Sequence, residues 1–151
     1  MSVKKKIQVE KVTDPIKLEE VFAIRTQVFV IEQQCIPELE KGFEDESVHF
    51  LATVDRAPAG ASRWRETTQG YKLERICVLP EFRGLGIGKG LVEAMLQDLP
   101  SDAGYIYLHA QVQATGLYEN FGFVKVGSPF GEAGIMHCKM EKNVIADDQI
   151  N

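Results

Sequence analysis

Cysteine is scarce: Cys35, Cys77 and Cys138 are the only three, and no two stand at C-x-x-C spacing. That spacing excludes a disulfide framework and a cysteine-built zinc site, and unpaired thiols point to a reducing, cytoplasmic compartment. Long apolar runs are absent too; nothing approaches the ~18 residues of a membrane span. Lys4-Lys5-Lys6 is followed by IQVEKVTDP rather than by an apolar stretch, so no secretion signal is read there. Positive charge is in deficit, 17 Lys and Arg against 22 Asp and Glu, and the net −5 argues against a nucleic-acid partner. An anionic ligand must therefore be drawn in by a local device. Repeats and low-complexity tracts are missing as well. What is present, 44% hydrophobic and 26% charged residues, suffices for a real core, and 151 residues fit one domain of ordinary size (~100–150). Residues 1–142 are assigned to that domain, and the polar stretch 143–151 reads as a flexible tail.

Hydrophobic spacing predicts the elements. Ile7 to Val12 alternates as an edge strand. Asp14 is an N-cap with Pro15 at the first helical position, and the helix runs to about Ile31 with Val21, Phe22, Val28 and Phe29 on its core face. Glu32 to Ser47 has no clear period and reads as loop or short helical turns. Val48 to Val54 and Ala59 to about Glu66 pair as strands across the turn Asp55-Arg56-Ala57-Pro58. After a turn at Thr67 to Gly70 come a strand, Tyr71 to Val78, and a helix that ends at Leu99-Pro100. Tyr105 to Ala110 is a buried strand, and Thr115 to Phe121 is a short helix closed by Gly122. Phe123 to Val126 and Ile135 to Glu141 are the last strands.

The segment LERICVLPEFRGLGIGKGLVEAM, Leu73 to Met95, carries the most information. Its β-branched run ends at Val78, and Arg83 then leads into Gly84, Gly86, Gly88 and Gly90 at the opening of an amphipathic helix. Bare N–H groups and the positive end of the helix dipole converge there, with no Cβ to block a phosphate. A Walker A loop requires Ser or Thr after Gly-Lys, but Lys89 is followed by Gly90. The dinucleotide pattern G-x-G-x-x-G fails from Gly84, whose sixth position is Lys89, and from Gly86, whose sixth is Leu91. Arg-x-x-Gly-x-Gly, with Arg83, Gly86 and Gly88, does fit.

That pattern, with LYENFGF at Leu117 to Phe123, resembles the GNAT superfamily of acyl-CoA-dependent N-acyltransferases. RTQVFVIEQ (Arg25 to Gln33), SRWR (Ser62 to Arg65), LHAQVQATGLY (Leu108 to Tyr118) and GEAGIMH (Gly131 to His137) resemble its ElaA-like and YjcF-like bacterial group. A weaker likeness, Glu74 two places before the triplet Ile76-Cys77-Val78, is to glucosamine-6-phosphate N-acetyltransferases. The resemblance implies an α/β (α+β) fold. Its sheet is mixed and mostly antiparallel, with six to seven strands, about four flanking helices and a splay between the fourth and fifth strands. It also implies transfer of acetyl from acetyl-CoA to a primary amine of a small molecule or peptide by direct attack. Acetyl-CoA is then a co-substrate, no metal, nucleic acid or membrane is involved, and a homodimer is compatible with the family.

By the same resemblance Ile76, Cys77 and Val78 lie against the cofactor, and an amide of Cys77 or Val78 polarises the thioester carbonyl. Gly84, Leu85, Gly86, Ile87, Gly88 and Lys89 receive the pyrophosphate, with Arg83 beside them. Cys77 itself reads as a small core residue, because nothing suggests a base to pair with it. Tyr118 is the candidate proton donor to the leaving thiolate: a phenol of pKa ~10 stays protonated at rest and can serve a thiol of ~8.5. Its structural alternative is a core aromatic against Phe121 and Phe123. For the amine proton the candidates are Glu74, on the face shared with Ile76, and His109, at the end of the neighbouring strand. His49 and His137 rank behind them, and a water chain is a further option. A salt bridge with Lys72 or Arg75 is the alternative role for Glu74.

The acceptor is less determined. Glu32, Glu38, Glu40, Glu44, Asp45 and Glu46 stand against only Lys41 in the loop after the first helix, a wall that favours a cationic amine such as a polyamine or lysine. Arg25, Arg63 and Arg65 instead suit an anionic acceptor such as a sugar phosphate. A CoA-binding sensor without catalysis is the alternative from a different class.

Overall fold

The computed structural model describes residues 5–40 and 42–144. Its strands are Ile7–Val12 (β1), Ser47–Val54 (β2), Ala57–Glu66 (β3), Tyr71–Val78 (β4), Gly104–Gln111 (β5), Val124–Glu132 (β6) and Ile135–Val144 (β7). Its α-helices are Pro15–Arg25 (α1), Pro37–Glu40 (α2), Ile87–Asp98 (α3) and Thr115–Glu119 (α4). The strands form one sheet in the order β1-β2-β3-β4-β5-β7-β6, antiparallel except where β4 runs parallel to β5.

Local chemistry explains the joints. Asp14 caps α1 by accepting from the Ile16 N–H at 3.0 Å. Asp55 and Arg56 take φ of 48° and 74°, a two-residue hairpin that matches strand twist and is tighter than the expected four-residue turn. Ala133 and Gly134 do the same between β6 and β7, at 53° and 79°, so β6 continues to Glu132 instead of ending at Val126. Beyond Arg25 the first helix widens into a π-helical turn, Thr26–Glu32, where the expected α-helix to Ile31 does not persist. β7 runs on through Val144, opposite Gly104, so Asn143 and Val144 belong to the sheet. The rest of the expected tail, 145–151, lies outside the described residues.

Two apolar layers hold the sheet from opposite faces, as strand alternation requires. On one face α3 and α4 bring Ile87, Leu91, Val92, Met95 and Tyr118 onto Leu73, Ile106, Leu108, Phe123 and Met140. On the other, α1 and the π-helical turn set Val21, Ile24 and Val28 against Val12, Leu51, Ala61 and Cys77.

In β4 the alternation slips once. Arg63 faces Glu74 and Ala61 faces Cys77, so three steps of β4 oppose two of β3, and Arg75 takes φ 56° at this bulge. Ile76 consequently packs on the α3 layer while Glu74 turns toward arginines on the α1 side. The expected shared face of Glu74 and Ile76 is therefore not found. Pairing with β5 also stops here. Tyr71, Lys72 and Leu73 pair with Ile106, Tyr107 and Leu108, and beyond them the strands part.

Candidate active site

The parting of β4 from β5 opens a cavity of about 700 Å³. β4 from Lys72 to Val78 forms one wall and His109 and Gln111 of β5 the other, with Leu117 and Tyr118 of α4 between them. Toward one end lies the N-terminus of α3. Gly86, at φ 83°, precedes its first turn, and among the described residues no side chain caps the orphan N–H groups there. A Cβ added at Gly84 or Gly86 meets nothing within 4 Å, and one at Gly88 meets only Leu117 Cδ2, at 3.6 Å. The glycines thus clear space outside the fold, where an oxyanion fits. Ile87 buries its side chain in the core, while Leu85 and Lys89 are exposed. Arg83 is engaged: Nη1 and Nη2 hold the Glu32 carboxylate at 2.7 and 2.6 Å, and Nε donates to the Val78 carbonyl at 3.0 Å. One residue on, the side-chain amides of Gln33 and Gln111 exchange hydrogen bonds at 2.8 and 3.3 Å. The chain after α1 is thereby strapped to both walls.

At the other end the wall is ionic. Glu74, 6% exposed, accepts from Arg63 Nε at 3.0 Å and Arg65 Nε at 2.8 Å, with Lys72 Nζ 3.1 Å away. Burial pushes its carboxyl up, but the Arg65 hydrogen bond and the charges of Arg63 and Lys72 outweigh that and hold it at about 2. Arg25 bonds Glu40 at 2.7 Å and Glu44 at 3.0 Å, Arg63 also donates to Glu44, and Arg75 reaches the Glu40 carbonyl at 3.2 Å. Of the acidic wall expected from the sequence, Glu32, Glu40 and Glu44 are bound to arginines, and the exposed Asp45 and Glu46 are not among the residues lining the cavity. Lys41 and the side chain of Glu38 lie outside the described residues.

Residues 12–144 match the family described as acetyltransferase (GNAT) domain. The chain belongs to the GNAT acetyltransferases. It is 38% identical over 131 residues to the uncharacterized N-acetyltransferase YjcF of Bacillus subtilis, covering 84% of this chain and 93% of that protein. Escherichia coli ElaA shares the fold with a TM-score of 0.78 at 23% identity, covering 93% of this chain and 100% of that one. An acyl-CoA N-acyltransferase from Pseudomonas aeruginosa does so at 0.72 and 24%, covering 92% and 99%. Sequence and fold together are those of the ElaA/YjcF-like group of GNAT N-acetyltransferases.

In this GNAT fold Tyr118 is 6% exposed and lines the cavity, and its hydroxyl makes no hydrogen bond among the described residues. Its ring meets Phe123 edge-on at 6.4 Å, so the same side chain packs in the core and faces the cavity. Burial, then the neighbouring Cys77 sulfur, raises the phenol above its usual value. Ile76, Cys77 and Val78 line the cavity, and burial pushes the Cys77 thiol up to about 12, which leaves it unreactive.

His109 Nδ1 lies 2.9 Å from Glu132 Oε1. That hydrogen bond, ahead of the opposing burial, holds the Glu132 carboxyl below its usual range. The carboxylate accepts, Nδ1–H donates, and Nε2 is left to take a proton. Glu132 is not among the candidates drawn from the sequence, although it lies in the GEAGIMH block, Gly131 to His137, whose Ala133-Gly134 turn ends β6 beside it. His137 also lines the cavity, with Nδ1 2.8 Å from the Ile135 carbonyl oxygen. His49 is outside the cavity lining and has Nε2 2.9 Å from the Glu44 carbonyl oxygen.

Proposed function

We propose that the protein transfers acetyl from acetyl-CoA to a primary amine of a small molecule or peptide by direct attack. One observation carries this reading: a single cavity joins the uncapped start of α3 to a buried phenol whose hydroxyl is unengaged. The N–H groups at the start of α3 suit the pyrophosphate. Backbone groups of β4 from Ile76 to Val78, which have no β5 partner, suit the acyl arm and the thioester carbonyl. Acetyl-CoA supplies the activated thioester.

His109, oriented by Glu132, takes one proton from the amine nitrogen at Nε2. The nitrogen gains the acyl carbon as the C–S bond breaks. Tyr118 Oη donates a hydrogen bond to the departing sulfur, which collects its balancing proton from solvent. A phenol raised by burial is too weak an acid to surrender its proton to a thiolate, so its contribution is stabilisation rather than full transfer. Glu74 does not suit the base: its oxygens are committed to Arg63, Arg65 and Lys72, and a carboxyl at about 2 has little proton affinity.

Incubation with acetyl-CoA and a panel of primary amines, followed by mass spectrometry, tests the reading. An N-acetylated amine whose formation is lost in His109→Ala supports it. Binding of acetyl-CoA without turnover on any amine would return the chain to the sensor alternative.

A further inference from the structure

The ionic end of the cavity holds more positive charge than its own carboxylates answer. Arg25 and Arg63, each 1% exposed, are settled among Glu40, Glu44 and Glu74. Arg65 and Lys72 share what remains of Glu74, whose Oε1 already serves Arg63 and Arg65 and whose Oε2 lies 3.3 Å from Arg65 Nη2 and 3.1 Å from Lys72 Nζ. Glu74 has no lone pair to spare, yet among the described residues two N–H groups of Lys72 and Nη1 of Arg65 have no acceptor, and both side chains line the cavity. The other carboxylate on this side, Glu132, accepts from His109 and is also held below its usual range by the nearby Lys72 charge, which leaves five cations here, Arg75 included, against the four carboxylates Glu40, Glu44, Glu74 and Glu132.

Stability alone gives no reason for such a surplus, because buried ion clusters are replaced by apolar residues at little or no cost in stability. The arrangement is also stiffened. The Arg65 guanidinium lies on the Phe43 ring at 3.9 Å, which fixes the plane of its fork. A planar fork beside a point-charge ammonium is a receiver for an oxyanion.

We propose that Arg65 and Lys72 form an acceptor subsite for an anionic group, so that the acetylated amine carries a carboxylate or phosphate. This rests on the N-acyltransferase reading above and narrows its substrate class. It also runs against the preference for a cationic amine drawn from the acids of residues 32–46, of which Glu32, Glu40 and Glu44 are bound to arginines. Polyamines would meet like charge where they need to dock.

The test uses four amines of equal chain length: an ω-amino carboxylate, the aminoalkyl phosphate, the amino alcohol and the diamine. Wild type should acetylate an anionic member with kcat/KM about tenfold or more above the amino alcohol, with the diamine lowest. The carboxylate and phosphate arms decide which oxyanion is preferred. In Arg65→Gln and Lys72→Gln that anionic-to-neutral ratio should fall about tenfold, whereas a purely structural role would lower all four rates together. Arg65→Lys separates loss of charge from loss of the fork. Lys125→Gln, on exposed β6, should change nothing.

Calorimetry with the two anionic amines alone gives a readout independent of turnover. Binding by wild type that is lost in Arg65→Gln supports the subsite. A flat preference, a preferred diamine, or anion binding indifferent to Arg65 and Lys72 overturns it. Acetyl-CoA binding with no amine acetylated would defeat the transferase reading instead, and the calorimetry would still decide the subsite.

Discussion

The two ends of the cavity are built by opposite means. At the loop end a contiguous stretch, Arg83 to Lys89, offers backbone N–H groups and keeps side chains out of the way. At the ionic end side chains arrive from well-separated segments, Arg25, Glu40 and Glu44, Arg63 and Arg65, Lys72 to Arg75, and the charges are tied to one another while buried. The first end can change what it presents to the cavity without losing its fold. The second cannot lose a charge without disturbing its neighbours, so binding and stability are separable at one end and fused at the other.

The sharpest way to break that contrast is Glu74→Ala. Three cations lose their shared carboxylate, and breaking a buried pair costs about 3–5 kcal/mol. At roughly 2–4 °C per kcal/mol for a domain of this size, Tm should drop by at least about 6 °C. The folded carboxyl at about 2 lies below its ordinary value, so its contribution is present above that ordinary value and is lost as pH falls toward 2. Denaturation of wild type and variant at neutral and acid pH should therefore show the gap closing in acid. A gap that is constant with pH would sink the account.

Gly88→Val probes the other end. Its added carbons point past Leu117 into the cavity, so acetyl-CoA affinity should fall about 100-fold or more, near 2.7 kcal/mol, while Tm stays within about 2 °C. Calorimetric affinity equal to wild type would mean that phosphate does not sit there. Tyr118→Phe keeps the packing against Phe123 and removes only the donor. Turnover should fall by about 10- to 100-fold with Tm unmoved, and an acyl donor with a more acidic thiol should recover much of the rate. Full activity would leave Tyr118 a core residue. The smallest effect is expected from Arg83→Gln. Its exposed pair with Glu32 contributes under about 1 kcal/mol, and if backbone does the holding, affinity should change by less than about tenfold. Abolished binding would show that the loop end, too, depends on a side chain.

Legibility in the sequence follows the same divide. The glycine loop, β4 and the short helix of Tyr118 are local patterns, and spacing reveals local patterns. The bulge at Arg75 leaves no sign, because an arginine at φ 56° is held there by its surroundings and not by its own preference. The π-helical turn is equally silent. It puts Glu32 within reach of Arg83 through geometry that a 3.6-residue period does not foresee. The acids of residues 32–46 show the same limit: charge counted along the chain does not reveal that Arg25, Arg63 and Arg83 fold onto Glu40, Glu44 and Glu32. Glu132 meets His109 only because a tight hairpin brings β6 back over β5's neighbour.

A sheet that parts in its middle has an edge indoors. From Glu74 to Val78, β4 pairs with β3 but not with β5, so one flank of its peptide groups has no strand beside it. On the perimeter such an edge would invite another strand. Here it faces the cavity, where something thin, extended and rich in amides would fit. An occupant of that kind would serve as the missing rung of the ladder, and whatever binds only the folded form also steadies it. The two halves of the sheet are joined at the waist by three residue pairs.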